Sequence, residues 1–470
     1  MLVYISSNSN KYKKFWYYRR QLCVILETYF LIRFLGQMKY GPKNLQISFS
    51  GRNLTHFGGL HLLQKFFQKI NLRYLLSHHL RFAQRNNRYS VAEEILALLY
   101  PIILGLGRIE TFHLLKHNGV FQYLTGLPAY PNPTTLRRFL LPMAPPGLSQ
   151  LRKLQDKMLL LMIRKPALPK KVIFDLDSTV LTLYGKQEFA AIGYNPAKKG
   201  RPSYHPVLCF NGITKDYWHG ELRPGDTHTS TGVLEVLRES FGKLPSSVKV
   251  KIIRGDKGFY SHRTIEYLES EKALFTIVAK VTRPIKRKLP SLTYRTYSSG
   301  TETSEFMYQP IKWGKAYRFV VIRRPIPEEP SEQLSLFSMG RYSYQVLVTN
   351  LRINPLNVWK FYNARAGVEL IIKELKADYP LAKIPTKHFA ANEAYFHLLL
   401  FAYNLINWFK RLCLPKSFQP MSLKSLRSQM LFVPGELVRT DNKPMLKFPS
   451  NFWYRDIIDY ALKQIEEIKL

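Results

Sequence analysis

The sequence predicts an α/β protein in which a helical N-terminal region precedes a mixed layer of strands and helices. Between about residues 46 and 127, apolar residues recur at helical spacing. Beyond Pro169, runs of β-branched and aromatic residues lie between turn signals, as expected for strands. Strands mixed with helices are typical of layered α/β architectures, and 470 residues are enough for more than one domain.

The N-terminal part contains two clear helical patterns and one break. Apolar residues at helical spacing occupy positions 60–67, and a strongly apolar helix begins near Ala92. Six prolines between Pro128 and Pro146 then predict a linker or turn region. A basic helix starts inside it at about Thr134 and carries Arg137 and Arg138. These two residues are candidate DNA-binding residues near a helix N-terminus, although a solvated surface helix explains them equally well.

The C-terminal two thirds of the chain contains the predicted strands. They cover the following segments: Lys171–Thr179, His205–Gly212, Lys249–Arg254, Leu274–Lys280, Lys315–Arg324 and Tyr342–Asn350. A helix is expected between the third and fourth of these strands, over Ser261–Ser270. Helices dominate again from Leu356 to about Leu412. The mixed strands and helices indicate an α/β layer, followed from about residue 286 to 346 by a strand- and loop-like segment.

Positive charge dominates the composition. The chain has 70 Lys and Arg residues against 32 Asp and Glu residues, which gives a formal net charge of +38. A folded protein with this much self-repulsion usually binds a polyanion. We therefore expect nucleic acid as the partner, ahead of an anionic membrane surface or no specific partner at all.

The cysteine pattern and the longest uncharged segment restrict the class of protein further. Cys23, Cys209 and Cys413 are too scattered for a disulfide framework or a zinc cluster, which favours the cytoplasm. Residues 394–409 contain no Asp, Glu, Lys or Arg but are shorter than the roughly 20 apolar residues of a membrane span. We expect a buried helix there, no signal peptide in the first 36 residues, and no membrane association.

Carboxylates are scarce, and some of them lie in or at the ends of predicted buried strands. Asp175 and Asp177 share one face of the strand that begins at Lys171, and Asp256 follows another strand directly. Unpaired buried charge costs folding free energy. Hard divalent cations, which prefer carboxylate oxygen, give a reason for this placement. The alternative for Asp256 is a strand-end aspartate that caps the following turn.

A further carboxylate lies on a helix predicted over residues 358–378. At about 100° per residue, one stripe about 60° wide contains four residues: Tyr362, Arg365, Glu369 and Lys376. Lys373 lies on the same stripe, whereas Glu374 and Asp378 lie on other faces. A carboxylate among basic and phenolic groups suits metal binding beside a phosphate. The alternative is a surface salt-bridge ladder around Glu369.

Four motifs in order resemble one family of enzymes. The spacing Tyr-x2-Arg-x3-Glu-x6-Lys, from Tyr362 to Lys376, resembles the YREK signature of bacterial insertion-sequence DDE transposases related to insertion sequence four. The tripeptide that begins at Asp177 resembles the first-aspartate motif of this group, and the pentapeptide Gly-Asp-Lys-Gly-Phe around Asp256 resembles the second. The run from Tyr184 through Gly-Tyr-Asn-Pro to Gly-Arg-Pro-Ser-Tyr-His-Pro is most similar to the thirteen-eighty family. The resemblance covers about residues 46–440.

The resemblance implies an RNase H-like catalytic core in which Asp177, Asp256 and Glu369 are the catalytic residues and metal ligands. Asp177 is favoured over Asp175, which remains the alternate ligand because it lies on the same strand face. The resemblance also implies that Arg365 and Lys376 hold the DNA backbone and that Tyr362 contacts it, with Lys373 beside them.

Trp313 has two interpretations. It lies in the β-rich segment between the second aspartate and the glutamate. There it is a candidate for stacking on an unpaired base near the cut, whereas the commoner position of a tryptophan is in the core.

The implied domain organisation has six parts. They are a basic extension (1–45, with Met38 as an alternative start), a helical DNA-end-binding region (46–165), the first part of the core (166–285), a β-rich insertion (286–346), the second part of the core with the catalytic helix (347–430) and a C-terminal tail (431–470). Two of these parts, the core segments, contribute the three acidic residues.

The expected function is metal-dependent cutting and joining of the ends of an insertion sequence. Two Mg²⁺ or Mn²⁺ ions are the expected cofactors. The expected partners are double-stranded DNA, as terminal inverted repeats and as target, and a second copy of the chain in a DNA-bound homodimer. Two alternatives remain: a related nuclease without strand transfer, and a DNA-binding repressor from a decayed element.

We expect DNA binding to weaken steeply with salt, because each phosphate contact releases counterions from the duplex. With roughly 6–10 phosphates engaged, affinity should fall about 10³–10⁵-fold between about 50 and 200 mM salt. A binding titration over this range on a duplex of fixed sequence measures the slope. A flat response would show that the net charge of +38 does not serve DNA binding.

Overall fold

The structure is a computed structural model that describes residues 45–84, 88–164, 169–297, 300–326, 337–339 and 341–469. The chain divides into two compact units, residues 1–52 and 53–470, and the description below concerns the second. The basic extension expected over residues 1–45 lies outside the described residues except for Leu45. The same holds for Met38, for Cys23 and for the segment in which no signal peptide was expected.

Helices make up most of the described chain before residue 165, as predicted. A short strand β1 (Leu54–Thr55) precedes α1 (Leu60–Lys69), α2 (Leu72–His79), α3 (Val91–Leu104), α4 (Gly119–Thr125), α5 (Pro133–Pro142) and α6 (Leu148–Ile163). Ser90 begins α3 with a capping box, because its hydroxyl accepts from the Glu93 N–H while the Glu93 carboxylate accepts from the Ser90 N–H. The apolar residues of α1 and α3 are buried in the main core.

Ten described strands form the central sheet, and six more form two small sheets. The central strands are β2 (Lys171–Ser178), β6 (Val207–Asn211), β7 (Tyr217–Glu221), β8 (Val250–Gly255), β9 (Leu274–Val278), β10 (Arg295–Thr296), β11 (Glu302–Tyr308), β12 (Tyr317–Pro325), β13 (Phe337–Met339) and β14 (Tyr342–Thr349). One small sheet contains β3 (Leu181–Thr182), β4 (Ala191–Ile192) and β5 (Pro202–Tyr204); in the other, β1 pairs with β15 (Gly435–Thr440), which pairs with β16 (Lys443–Lys447). Each predicted strand is confirmed to within a few residues.

The order of the central sheet is β10-β11-β12-β14-β9-β8-β2-β6-β7, with β13 paired to β14. β2, β8 and β9 are parallel neighbours, whereas β6 and β7 continue the sheet antiparallel on one side and β14 on the other. The carboxyl ends of three adjacent strands therefore meet at one edge of the sheet, and side chains that follow these strands lie close together.

Helices pack around this sheet, and the predicted α/β class is confirmed. Those in the second part of the chain are α7 (Val233–Gly242), α8 (His262–Ser270), α9 (Arg283–Lys288), α10 (Pro355–Asn363), α11 (Ala366–Ala377), α12 (Phe389–Cys413), α13 (Leu423–Leu426) and α14 (Arg455–Glu467). The uncharged segment 394–409 lies within α12, which is buried along most of its length as expected. α12 also packs against α3, α5 and α6 of the N-terminal region.

Of the linker or turn predicted for the Pro-rich segment between residues 128 and 146, the structure shows a turn, at Met143–Gly147 after α5. The segment is not a linker, because α5 and this turn bury Leu136, Phe139 and Met143 in the core. One prediction about a helix is wrong. The single helix predicted over residues 358–378 is two helices, α10 and α11, which meet at a turn at Ala364 and Arg365. Asn and Gly are weak helix formers, and they flank this turn in the sequence Asn-Ala-Arg-Ala-Gly.

Buried polar groups of α12 are paired with the edge of the sheet. The Asn404 side chain accepts from the N–H of Tyr217 and donates to its carbonyl oxygen, each at 2.8 Å. Asn407 and Arg411 both bind Asp216, which is fully buried at the turn before β7. These contacts satisfy backbone and side-chain groups that would otherwise be buried without partners.

Among the described residues, no single helix is both long and apolar enough to cross a membrane; the bent pair of Val91–Leu104 and Ile109–Leu115 meets the criterion by length and composition only.

Candidate active site

Two aspartates leave the central sheet side by side. In the parallel register, Leu176 of β2 is opposite Gly255 of β8, so Asp177 and Asp256 follow at the same level. Neighbouring strands lie roughly 4.8 Å apart. Asp177 is buried and accepts a hydrogen bond from the Ser178 N–H at 2.8 Å on Oδ1. Asp256 is half-buried and faces the same edge of the sheet.

Asp256 also caps the turn that follows β8. Its Oδ1 accepts from the Gly258 N–H at 2.8 Å, at the start of a short 3-10 turn over Lys257–Phe259. The capping role considered from the sequence is therefore present. The cap uses one carboxylate oxygen of Asp256. The carboxylate remains at the strand end, where its negative charge raises the pKa of Asp177.

Arg365 connects the strand to the helix that carries Glu369. Its guanidinium is almost completely buried, with 4% of the side chain exposed. Nη1 donates to Glu369 Oε1 at 2.9 Å, and Nη2 lies 3.1 Å from Asp177 Oδ1. Nε and Nη2 also donate to the Leu176 carbonyl oxygen at 3.3 and 3.2 Å. The Arg365–Glu369 pair expected from the spacing exists, but Arg365 is a buried bridge and not part of a surface ladder.

The electrostatics of these groups are coupled. Burial raises the pKa of Asp177 to about 6; the Arg365 charge opposes this shift, while the Asp256 and Glu369 charges add to it. Burial likewise raises the pKa of Tyr362 to about 12, and all three carboxylates add to that shift. For Arg365 the carboxylates outweigh burial and raise its pKa above the ordinary value. The structure thus brings Asp177, Asp256 and Glu369 into one electrostatic cluster.

The three carboxylates match the donor preference of a hard divalent cation. Within the described part of the chain, no group of three or more His, Cys, Asp or Glu side chains is already close enough to hold a metal ion. Arg365 instead supplies the positive charge between Asp177 and Glu369. The contacts from Ser178 and Arg365 both go to Oδ1 of Asp177, and Gly258 donates to Oδ1 of Asp256. One oxygen of each aspartate therefore remains for a cation.

An open cavity of about 710 Å³ lies beside Asp256. Its wall includes three lysines: Lys257 after β8, Lys280 after β9 and Lys376 of α11. Burial lowers the pKa of Lys376, and the charge of Asp177 opposes this shift, so these two groups act on each other across the site. The wall thus combines three lysines with two carboxylates, Asp226 and Asp256, and suits a phosphate that is held by the lysines beside Asp256.

Asp175, the alternate ligand, is occupied elsewhere. It pairs with its register partner Arg254 on β8 through two contacts, Nε to Oδ1 at 2.6 Å and Nη2 to Oδ2 at 2.8 Å. Both side chains are almost fully buried, and Arg254 Nη1 also donates to the Phe361 carbonyl oxygen at 2.8 Å. The pair therefore joins two strands of the sheet to the end of α10.

The other predicted DNA-binding residues are spread over the surface and the core. Lys373 is exposed on α11, whereas Tyr362 is buried with apolar residues of β12 and β14. Arg137 pairs with Glu110, and Arg137 and Arg138 line a different cavity, of about 410 Å³. Trp313 packs against the rings of three residues at 5.2–5.3 Å: Tyr260, His262 and Tyr317.

Sequence reasoning missed two groups in the cavity wall. Lys280 follows β9, and the rule that parallel strands end at one edge would have placed it beside Asp177 and Asp256. His205 is buried, donates from Nδ1 to the Thr227 carbonyl oxygen at 2.9 Å and accepts at Nε2 from the Ser178 hydroxyl at 3.2 Å. Burial lowers the pKa of His205, which keeps the ring neutral beside the acidic strand end.

Comparison with known proteins defines the class of this protein. The family model described as "Transposase DDE domain group 1" matches residues 38–470, so the chain belongs to this family of DDE transposases. The match extends to residue 470, past the position near 440 at which the resemblance by motifs was expected to end. DDE transposases use divalent metal ions and act on DNA.

The protein is a DNA transposase, an enzyme that cleaves and joins DNA. Eleven chains of solved structures match it, and one is the cryo-EM structure of a piggyBac transposase synaptic complex with hairpin DNA. That chain is 15% identical over 82% of each chain, with a TM-score of 0.45. No curated protein matches the sequence.

Asp175→Asn should lower the free energy of unfolding by about 3–5 kcal/mol, because it leaves Arg254 buried without a counter-charge. The folded fraction should still cleave DNA, whereas Asp177→Asn should not. Urea unfolding followed by tryptophan fluorescence measures the first effect, and cleavage at saturating Mg²⁺ measures the second. An inactive but folded Asp175→Asn together with an active Asp177→Asn would exchange the two roles.

Arg365→Met should also unfold more easily, by about 3–5 kcal/mol, since it removes the charge that Asp177 and Glu369 share. Mn²⁺ should restore more stability to this variant than it adds to the parent, because the cation binds the folded site that the guanidinium no longer occupies. Thermal unfolding with and without Mn²⁺ tests this. Equal stabilisation of both proteins would show that Arg365 and the cation do not compete.

Proposed function

We propose that Asp177, Asp256 and Glu369 are the catalytic acidic trio of an RNase H-like core. The order β7-β6-β2-β8-β9, with β6 antiparallel and β8 and β9 parallel to β2, supports this fold. The proposal rests mainly on one observation. The first two carboxylates leave adjacent strands at one level, and a single buried guanidinium joins the first of them to Glu369.

The trio would hold two divalent cations, Mg²⁺ or Mn²⁺. When bound, such ions activate water or a DNA 3′-hydroxyl as the nucleophile and stabilise the leaving oxygen at phosphorus. The burial of the Asp177 carboxylate supports this proposal. Burial raises its pKa to about 6, so its negative charge is costly in the absence of a cation and is only partly offset by Arg365.

The basic wall of the cavity would hold the phosphate backbone. Lys257, Lys280 and Lys376 line the same space as Asp256 and supply positive charge on different sides. Arg365 and Tyr362 are buried. In the DNA-free protein they therefore interact with the acidic side chains and are not exposed for contact with DNA. We propose that Arg365 shifts from the carboxylates to a DNA phosphate when the site is loaded, as a guanidinium binds either anion with similar geometry.

We propose that the substrates are the terminal inverted repeats of an insertion sequence and its target DNA. The YREK spacing and the run from Tyr184 to Pro206 support an element of the insertion sequence four group, similar to the thirteen-eighty family. Arg137 and Arg138 would contact DNA outside the catalytic cavity, on the helical N-terminal region. Because two DNA ends are joined, we propose that two copies of the chain form a homodimer on DNA. The proposed location is the cytoplasm.

Glu369→Gln should bind its terminal repeats nearly as well as the parent but should neither nick nor join them. Gln retains the size and helix preference of Glu, but it lacks the charge that a hard cation requires. Gel-shift assays and cleavage assays in Mg²⁺ and in Mn²⁺ measure binding and chemistry separately. Joined products in the parent distinguish strand transfer from simple nuclease activity.

The matched control should be an exposed helical glutamate away from the cavity. Glu466→Gln on α14 meets this condition and should remain active. Glu374, on the same helix as Glu369, is a poorer control, because its carboxylate accepts from the Leu423 N–H at 2.7 Å and anchors α13. Robust cleavage by Glu369→Gln in both metals would remove the third carboxylate and refute the proposed site.

A further inference from the structure

Two exposed aromatic rings lie in the loops that adjoin the small sheet β3-β5-β4, beside the proposed active site. Tyr184 and Tyr194 are each 74% exposed, although tyrosine usually buries most of its ring. The Arg201 guanidinium lies over the Tyr184 ring at 5.9 Å. Tyr194 has no ring or cation partner in the described part of the chain. An uncovered aromatic ring contributes little to folding, which favours a role in binding.

The backbone on both sides of Tyr194 is held in place. A side chain at Gly193 would overlap the carbonyl oxygen of Gly225, so this loop packs directly on the segment that follows β7. Asn195 is buried, donates to the Thr182 hydroxyl at 3.1 Å and accepts from the Lys198 N–H at 3.0 Å. The Tyr194 ring therefore projects from a fixed position, and little conformational entropy is lost when a ligand stacks on it.

Tyr194 lies on the wall of the catalytic cavity. The same cavity of about 710 Å³ includes Asp256 and Lys376 on its wall. A base that stacks on Tyr194 would therefore lie in the same open cavity as Asp256 at the end of β8. Trp313, in contrast, packs against other rings of the chain.

The charge around the ring points to a nucleic-acid strand. Residues 183–201 contain four basic side chains, at positions 186, 198, 199 and 201, and one acidic side chain, Glu188. The Glu188 carboxylate is occupied by the Phe389 N–H at 2.8 Å and by His388 Nδ1 at 2.9 Å. Aromatic rings interleaved with basic residues are typical of surfaces that bind unpaired nucleotides, because bases stack and phosphates pair.

We propose that Tyr194 is a stacking platform for an unpaired base at the DNA end in the catalytic cavity, with Lys198, Lys199 and Arg201 along the adjoining backbone. This inference rests on the proposed function, because it requires the cavity beside Asp256 to hold the strand that reacts. A base in a closed duplex is already stacked on its neighbours. Tyr194 therefore distinguishes DNA with an opened end from fully paired DNA.

The test compares two DNA duplexes of one sequence, one blunt and one with unpaired bases at one end, without divalent metal so that no cleavage occurs. Tyr194→Ala should bind the opened end about tenfold more weakly and the blunt duplex equally well. Tyr194→Phe, which keeps the ring, should match the parent on both. Tyr460→Ala removes an exposed tyrosine of α14, away from the cavity, and should change neither affinity.

A second readout reports stacking itself. With 2-aminopurine at the unpaired position, the parent and Tyr194→Phe should quench its fluorescence, and Tyr194→Ala should not. Equal loss of affinity on both duplexes, or no loss on either, would overturn the proposal. Failure of the proposed function has a different signature, namely cleavage that survives Glu369→Gln, so the two failures are distinguishable.

Discussion

The arrangement of the proposed active site depends on the guanidinium of Arg365. It contacts Asp177, Glu369 and the Leu176 carbonyl oxygen, and so it fixes the end of β2 against the start of α11. Without a compensating positive charge, close carboxylates would repel by about 4 kcal/mol per pair at an intermediate dielectric. Arg365 provides that charge in the metal-free protein. The acidic cluster can therefore assemble during folding, before any cation or DNA is bound.

Two aspartates of β2, Asp175 and Asp177, each pair with an arginine, but the two pairs have different surroundings. Asp175 and Arg254 satisfy each other through two contacts inside the sheet, and Arg254 also reaches α10. Asp177, two residues later, is followed directly by Ser178 on the cavity wall, and its partner Arg365 also binds Glu369. The first pair is structural, since the Arg254 guanidinium occupies both carboxylate oxygens of Asp175. In the second pair, by the proposal above, Arg365 exchanges its carboxylate partners for a DNA phosphate.

Much of the fold follows from local sequence, and much of the site does not. The strands around Asp177 and Asp256 were predicted because apolar alternation and turn residues agree there. The turn at Ala364 and Arg365 was not predicted, although the Asn and Gly that flank it are weak helix formers. The contact of Arg365 with the Leu176 carbonyl oxygen, 189 residues earlier, could not be predicted from local sequence at all. The Asp175–Arg254 pair depends on strand register, and the burial of Tyr362 depends on β12 and β14. The strand order and the pairing of buried charges are determined by tertiary contacts. They therefore cannot be predicted from sequence periodicity alone.

The contact between Asn404 and Tyr217 has a consequence for assembly. β7 is the last strand of the central sheet, and the Asn404 side chain occupies both the N–H and the carbonyl oxygen of Tyr217 on it. An exposed sheet edge can pair with a strand from another molecule. A buried amide on α12 closes this position to intermolecular strand addition. At Tyr217 the chain therefore completes the backbone hydrogen bonds of its own sheet edge, without a second molecule.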